Sequence, residues 1–178
     1  EFDYTWSFGA DPCGLARIVF GDIENFAAIA SSAITSTGPT AITGDIAVSP
    51  GSSISGFPPG TLSGSMFEGD ATAATAMALA GVSYLDAAGR TLCSQTVAGN
   101  LGGQTLTPGL YTSTSSIGIS SGTLTLDAQG DSSAVFIFQA ASTFITSPGL
   151  GIVLAGGADP ANIYWQVGSS ATIGTSAA

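Results

Sequence analysis

Histidine and lysine are absent from this 178-residue sequence, and arginine occurs only at Arg17 and Arg90. Charged residues make up 8% of the chain, against about 25% in an average soluble domain. Against the two arginines stand 12 Asp and Glu, for a formal net charge of −10. Each shortage excludes something. Two cations cannot displace the counterions of a phosphate backbone, nor hold an anionic membrane surface. Without histidine there is no imidazole base and no imidazole metal ligand. Without lysine there is no Schiff base, no P-loop lysine and no Lys–Asn isopeptide. No run approaches the roughly 18 apolar residues of a membrane span. Runs such as Ala134–Phe138 and Ile152–Ala155 are strand-sized. Asn25, Asn100 and Asn162 all lack Ser or Thr two residues on, so there is no N-glycan acceptor. The expected partners therefore include no nucleic acid and no membrane insertion.

What is present is unusual too. The chain has 25 Gly, a quarter of it is Ser or Thr, and 44% is hydrophobic. Such a chain can bury a core, and its length suits one domain. It starts at Glu1 with no Met and no basic, then apolar, leader, and so reads as a mature form. Cys13 and Cys93 are the only cysteines. A disulfide is the preferred reading, with two buried thiols as the alternative. Acidic, lysine-free composition with one disulfide points to an extracellular protein, secreted or at the cell surface.

Residues 1–8 place Phe2, Tyr4, Trp6 and Phe8 in alternation with Glu1, Asp3, Thr5 and Ser7. This period of two predicts a strand with an aromatic ridge on one face. Gly9-Ala10-Asp11-Pro12 then breaks it. From Ile23 to Gly64 short apolar runs are cut by Pro39, Pro50 and Pro58-Pro59; Ile34-Thr35, Ala41–Val48 and Ile54–Phe57 read as strands. A single helix is predicted over about 66–88, with Ser63 or Ser65 as its cap and a slim stripe of Phe67, Ala71, Ala74, Ala78, Gly81, Leu85 and Ala88. From Thr96 onward short β runs return at Gln104–Leu106, Gly109–Thr112, Ile117–Ile119, Thr123–Asp127, Val135–Gln139, Ile152–Ala155, Ile163–Val167 and Ala171–Ile173, with turns about every 8–15 residues, as in a sandwich, barrel or solenoid.

Longer phrases now become informative. Asn25-Phe26-Ala27-Ala28-Ile29-Ala30 is followed by Gly44-Asp45-Ile46-Ala47-Val48-Ser49-Pro50-Gly51 and Gly56-Phe57-Pro58-Pro59-Gly60. After the helix come Leu106-Thr107-Pro108-Gly109-Leu110-Tyr111, Leu124-Thr125-Leu126-Asp127-Ala128-Gln129-Gly130-Asp131, Val135-Phe136-Ile137-Phe138-Gln139 and Tyr164-Trp165-Gln166-Val167. In this order, over about residues 23–175, the chain resembles the microbial ice-binding-protein-like β-solenoids. The resemblance implies an all-β fold, an irregular three-faced β-solenoid with one long α-helix packed alongside. It implies a secreted or surface protein that is not an enzyme, and in many members an ice-binding face.

Two departures shape the functional expectation. Family members usually continue past the Gly168-Ser169-Ser170-Ala171-Thr172 phrase, whereas this sequence stops at Ala178 and carries an extra aromatic strand in front. The primary expectation is a structural subunit. Residues 1–12 form the candidate donor strand and linker, and residues 13–178 form one solenoid domain. Phe2, Tyr4, Trp6 and Phe8 would complete the solenoid of the next copy, giving a head-to-tail homopolymer and an extracellular filament. The rival is a secreted antifreeze protein that binds ice with a flat Thr/Ser/Ala face, and a sugar-binding adhesion module is a third option. Candidate face residues are Thr35, Thr37, Thr40, Thr43, Thr105, Thr107, Thr123 and Thr125, since Thr offers a hydroxyl and a methyl on a stiff side chain. The carboxylate pairs Asp22/Glu24, Glu68/Asp70 and Asp127/Asp131 are read as turn and cap residues rather than acid–base pairs. No metal site and no cofactor is expected.

Overall fold

The computed structural model describes residues 13–176, which divide into two compact units. Phe2, Tyr4, Trp6 and Phe8 lie outside the described residues.

The first unit, Val19–Asp86, is built from very short parallel strands. They are β1 (Phe26–Ala30), β2 (Ala33–Thr35), β3 (Ala41–Thr43), β4 (Asp45–Val48), β5 (Ser53–Ser55), β6 (Thr61–Ser63) and β7 (Met66–Glu68). They stack as β1-β4-β7, β2-β5 and β3-β6, one sheet per face of a three-faced coil. Each two-stranded face repeats one small–apolar–small triplet. Ala33-Ile34-Thr35 pairs with Ser53-Ile54-Ser55, and Ala41-Ile42-Thr43 with Thr61-Leu62-Ser63. The middle residue turns inward and its neighbours outward, because successive side chains alternate across a strand. Both pairs have the same spacing, so one coil runs from Ala33 to Ser52 before the next begins at Ser53.

Ala41–Val48, expected as one strand, turns a corner at Gly44. Its φ of +115° suits glycine, and a Cβ there would sit 2.7 Å from the Asn25 carbonyl oxygen. The helix also differs from expectation. α1 runs Ala71–Gly89, while Met66–Glu68 is strand β7, paired with Ile46–Val48 of β4. The cause is local. Gly69 adopts φ +65°, and Asp70 is the true cap, its Oδ1 accepting the Ala73 N–H at 2.7 Å. Within the first unit, Ala73, Ala76, Leu79 and Ala80 of α1 pack with Ile29, Ala47 and Phe67 of the β1-β4-β7 sheet. Alanines on that helix face permit the close approach.

The second unit comprises the described residues up to Ile18 and those from Ala87 onward. Its strands are β8 (Gln95–Thr96), β9 (Thr105–Leu106), β10 (Gly109–Ser113), β11 (Ile117–Ile119), β12 (Leu124–Asp127), β13 (Phe136–Ala140), β14 (Thr143–Thr146), β15 (Ile152–Ala155), β16 (Ile163–Val167) and β17 (Ser170–Thr172). They stack in parallel as β16-β13-β10-β8, β11-β14-β17 and β15-β12-β9. Coils here become longer, running from Gly109 to Val135 and from Phe136 to Asn162. That change of period hides the repeat in the sequence.

Leu101, Ile117, Ile119, Leu124, Leu126, Phe136 and Phe138 fill the interior, all at most 1% exposed. The rings of Tyr111, Phe138 and Trp165 occupy one register column and stack, with centroids 5.2 Å and 4.0 Å apart. Many hydroxyls are spent at corners rather than facing water. Ser116 Oγ meets the Thr143 hydroxyl at 2.7 Å, and Ser169 donates to the Ser142 carbonyl. Cys13 and Cys93 form a disulfide with Cα atoms 5.6 Å apart.

Candidate functional site

The outer faces of the second unit differ in what lies on them. On the β16-β13-β10-β8 sheet the outward column of Leu110, Ile137 and Tyr164 is buried under Leu15, Ile18 and Ala87. Gln139 of the same sheet donates from Nε2 to the carbonyls of Ala87 and Arg90, both at 2.8 Å. These contacts cover that column of the outer side. The β11-β14-β17 sheet presents Gly118, Ile145 and Thr172 in one row, with Ile145 48% exposed.

The third face, β15-β12-β9, carries the hydroxyls. Thr105 of β9 pairs with Thr125 of β12, which pairs with Val153 of β15. Leu106, Leu126 and Leu124 alternate with them and turn inward, so the threonines turn outward. Thr107 and Thr123 lie two residues along from this row and are exposed. Parallel strands lie about 4.7–4.9 Å apart, so Thr105, Thr125 and Val153 form one row at that spacing. Asp127 is the one charged residue of β12, and its Oδ1 accepts the Gln129 N–H at 2.9 Å. No long or cationic side chain stands on these three strands.

Of the eight threonines singled out in the sequence, Thr105 and Thr125 are thus paired on one face, while Thr107 and Thr123 lie just beyond the ends of β9 and β12. Thr35 and Thr43 lie on the separate sheets β2-β5 and β3-β6, where Ser53, Ser55, Thr61 and Ser63 also turn outward. Thr37 and Thr40 lie outside the strands. Val153 completes the Thr row without a hydroxyl. Only the pairing register identifies it, since Val153 lies further beyond Thr125 in sequence than Thr125 lies beyond Thr105.

The carboxylates serve local structure. Asp70 caps α1, Asp45 accepts the Ser65 N–H at 2.7 Å, and Asp131 accepts from the hydroxyl and N–H of Ser133 at 2.6 Å and 2.8 Å. The Ser133 bonds hold the Asp131 carboxyl below its ordinary range. Burial pushes the Tyr111 phenol up, against the opposing effect of its hydrogen bond to the Thr107 carbonyl at 2.5 Å. Among the described residues no group of three or more Cys, Asp or Glu could hold a metal ion, and no helix is long and apolar enough to cross a membrane.

Parallel coils whose sheets follow three faces around an apolar core define the fold as a β-solenoid. The chain belongs to the ice-binding-like family, whose model matches residues 28–178. It is 40% identical over 169 residues to an ice-binding protein of Nostoc sp. (strain HG1), covering 95% of this chain and 62% of that protein. It thus spans about three fifths of that relative's length. An ice-binding protein of Leucosporidium sp. (strain AY30) is 35% identical, with 90% of this chain and 68% of the relative covered. Among solved structures, an ice-binding protein from an Antarctic biological consortium superimposes with a TM-score of 0.90 at 52% identity, covering 93% of this chain and 75% of that one. An ice-binding protein of the Antarctic ascomycete Antarctomyces psychrotrophicus gives a TM-score of 0.86 at 36% identity, over 91% and 79% of the two chains.

Proposed function

We propose that the protein binds ice, without catalysis, through the outer face of β9, β12 and β15. The observation that carries this reading is the register of Thr105 with Thr125, flanked by Thr107 and Thr123. Each threonine offers a water-ordering hydroxyl beside a methyl, and its branched Cβ limits χ1. β12 is paired with β9 on one side and β15 on the other, which limits backbone motion at Thr125. Ordering water over this row therefore costs little side-chain entropy. The relatives named as ice-binding proteins support the reading, and the disulfide with a lysine-free acidic surface supports an extracellular location. The test is ice-crystal shaping and thermal hysteresis with the intact protein and with Thr125→Tyr. Shaping by the intact chain, lost in a folded Thr125→Tyr variant, is the expected result. Spherical, unshaped crystals with the intact chain would reject the reading.

A second reading is compatible with the first and is favoured by the alternation of Phe2, Tyr4, Trp6 and Phe8. In it the protein is a filament subunit that hands residues 1–8 to the next copy, giving an extracellular homopolymer. Contact between unlike surfaces of identical subunits need not close, so it generates open assemblies. Negative-stain electron microscopy of the full chain tests it: filaments support it, and isolated particles at all concentrations reject it.

A further inference from the structure

We infer that the corner joining β9 to β10 and β12 to β13 is a second binding site, shaped to take an uncharged pyranose ring. The inference goes beyond the ice reading and does not depend on it.

Three observations carry it. The first is a cavity of about 570 Å³ at that corner, within the second unit. Small-molecule sites occupy roughly 300–1,000 Å³. The buried part of the lining is apolar: Val135 is 5% exposed, and Leu15 and Pro108 are half-buried. The exposed part carries the polar groups of Thr107, Gln129, Asp131 and Ser133. An apolar floor under a polar rim is the result.

The second is that the rim is held in place while its functional groups stay unspent. The Thr107 carbonyl accepts the Tyr111 phenol, and the Gln129 N–H donates to Asp127 Oδ1 at 2.9 Å. Asp131 Oδ1 accepts both the hydroxyl and the N–H of Ser133, which hold its carboxyl ionised. Among the described residues, none of these bonds uses the Thr107 hydroxyl, the Gln129 side-chain amide or Asp131 Oδ2. A site whose loops are fixed in advance loses less entropy when a ligand arrives.

The third is the backbone of Gln129. Its φ is +55°, in the left-handed region that favours glycine. The turn by itself would be served better by glycine, yet a long amide side chain stands there, exposed and lining the cavity. Residues held in such sparsely used conformations concentrate at ligand sites.

The chemistry of the lining selects the ligand. An ionised carboxylate accepts hydroxyl protons, while an amide and a hydroxyl both donate and accept. No cation lines the cavity, and the chain carries a net charge of −10, so phosphate, sulfate and carboxylate ligands are repelled. A pyranose meets both surfaces. Its hydroxyls face Thr107, Gln129 and Asp131, and its C–H face lies on Leu15, Pro108 and Val135. A free sugar and the end of a glycan chain present the same ring.

The experiment titrates the full-length, ¹⁵N-labelled protein with the methyl pyranosides of glucose, galactose, mannose and N-acetylglucosamine, following amide shifts by NMR. At least one glycoside should give saturable shifts at Thr107, Gly109 and Gln129–Val135, with a Kd on the order of 1 mM. Asp131→Ala should weaken it about tenfold. Gln129→Ala keeps the main-chain N–H that donates to Asp127, and should weaken it about fivefold. Thr125→Tyr, which blocks the ice face, should leave it unchanged. The matching methyl uronoside should bind about tenfold more weakly, because its carboxylate meets Asp131. An oligosaccharide of the preferred sugar that binds about tenfold tighter assigns the ligand to a glycan chain, and equal binding assigns it to a single ring. Absence of saturable shifts with every glycoside, shifts confined to other parts of the chain, or an affinity unchanged in both Asp131→Ala and Gln129→Ala would overturn the inference and leave the ice reading standing.

Discussion

Gln139, the last residue but one of β13, reaches the end of α1 and places its Nε2 2.8 Å from the carbonyl oxygen of Ala87. The same amide lies 2.8 Å from the Arg90 carbonyl. Helix carbonyls at a C-terminus have no partner within the helix, so one side chain on the sheet satisfies several orphan acceptors. Gln139→Ala should cost about 1–3 kcal/mol. Each kcal/mol should lower Tm by about 2–4 °C for a chain of this size. Gln139→Glu should be worse, because a carboxylate would face carbonyl oxygens. Calorimetry of the two variants checks the order.

Phe138 stacks between the rings of Tyr111 and Trp165 and has no exposed surface. Phe138→Ala should destabilise by about 3–5 kcal/mol through lost burial and the cavity left behind. Phe138→Leu keeps most of the volume and should cost distinctly less. Denaturant unfolding followed by Trp165 fluorescence would separate them.

Alkaline pH gives an independent probe of the same core. The Tyr111 phenol is raised above 10.0 in the folded chain by burial. A raised folded value means that the folded state holds its proton more tightly than the unfolded state. The contribution is therefore fully present below pH 10 and is lost as pH rises through the folded value. Stability should fall more steeply above pH 10 in the parent than in Tyr111→Phe. Equal slopes would show that Tyr111 does not contribute.

Cys13 and Cys93 are 80 residues apart in sequence, so their bond constrains a long loop of the unfolded chain. Reduction, or Cys13→Ser with Cys93→Ser, should cost about 2–5 kcal/mol. Unfolding in the presence and absence of a reductant measures it.

Much of this architecture is legible in the sequence, and the rest is hidden for identifiable reasons. The strands Gly109–Thr112, Ile117–Ile119, Ile152–Ala155 and Ile163–Val167 follow from their apolar alternation and Gly/Pro borders. The start of the helix does not. Met66–Glu68 suits a helix by propensity, and only its pairing with β4 makes it a strand. Phe26–Ala30 is equally silent, since its run of small apolar residues shows no polar–apolar alternation. The Thr105–Thr125 pair is visible as two similar phrases. Its alignment is not, because register depends on coil length, and the coil that pairs Thr105 with Thr125 is shorter than the one that pairs Gly109 with Phe136.

The parallel register of the coils also bears on how such a chain changes over generations. Each rung of the second unit touches chiefly the rung before and the rung after it. The side chains of one rung meet the same kinds of neighbour whatever the total number of rungs. Duplicating or deleting a rung therefore leaves the remaining core intact, as adding a page leaves a binding intact. Length becomes a heritable variable that selection can adjust without redesigning the interior, and the exposed Thr row lengthens or shortens with it.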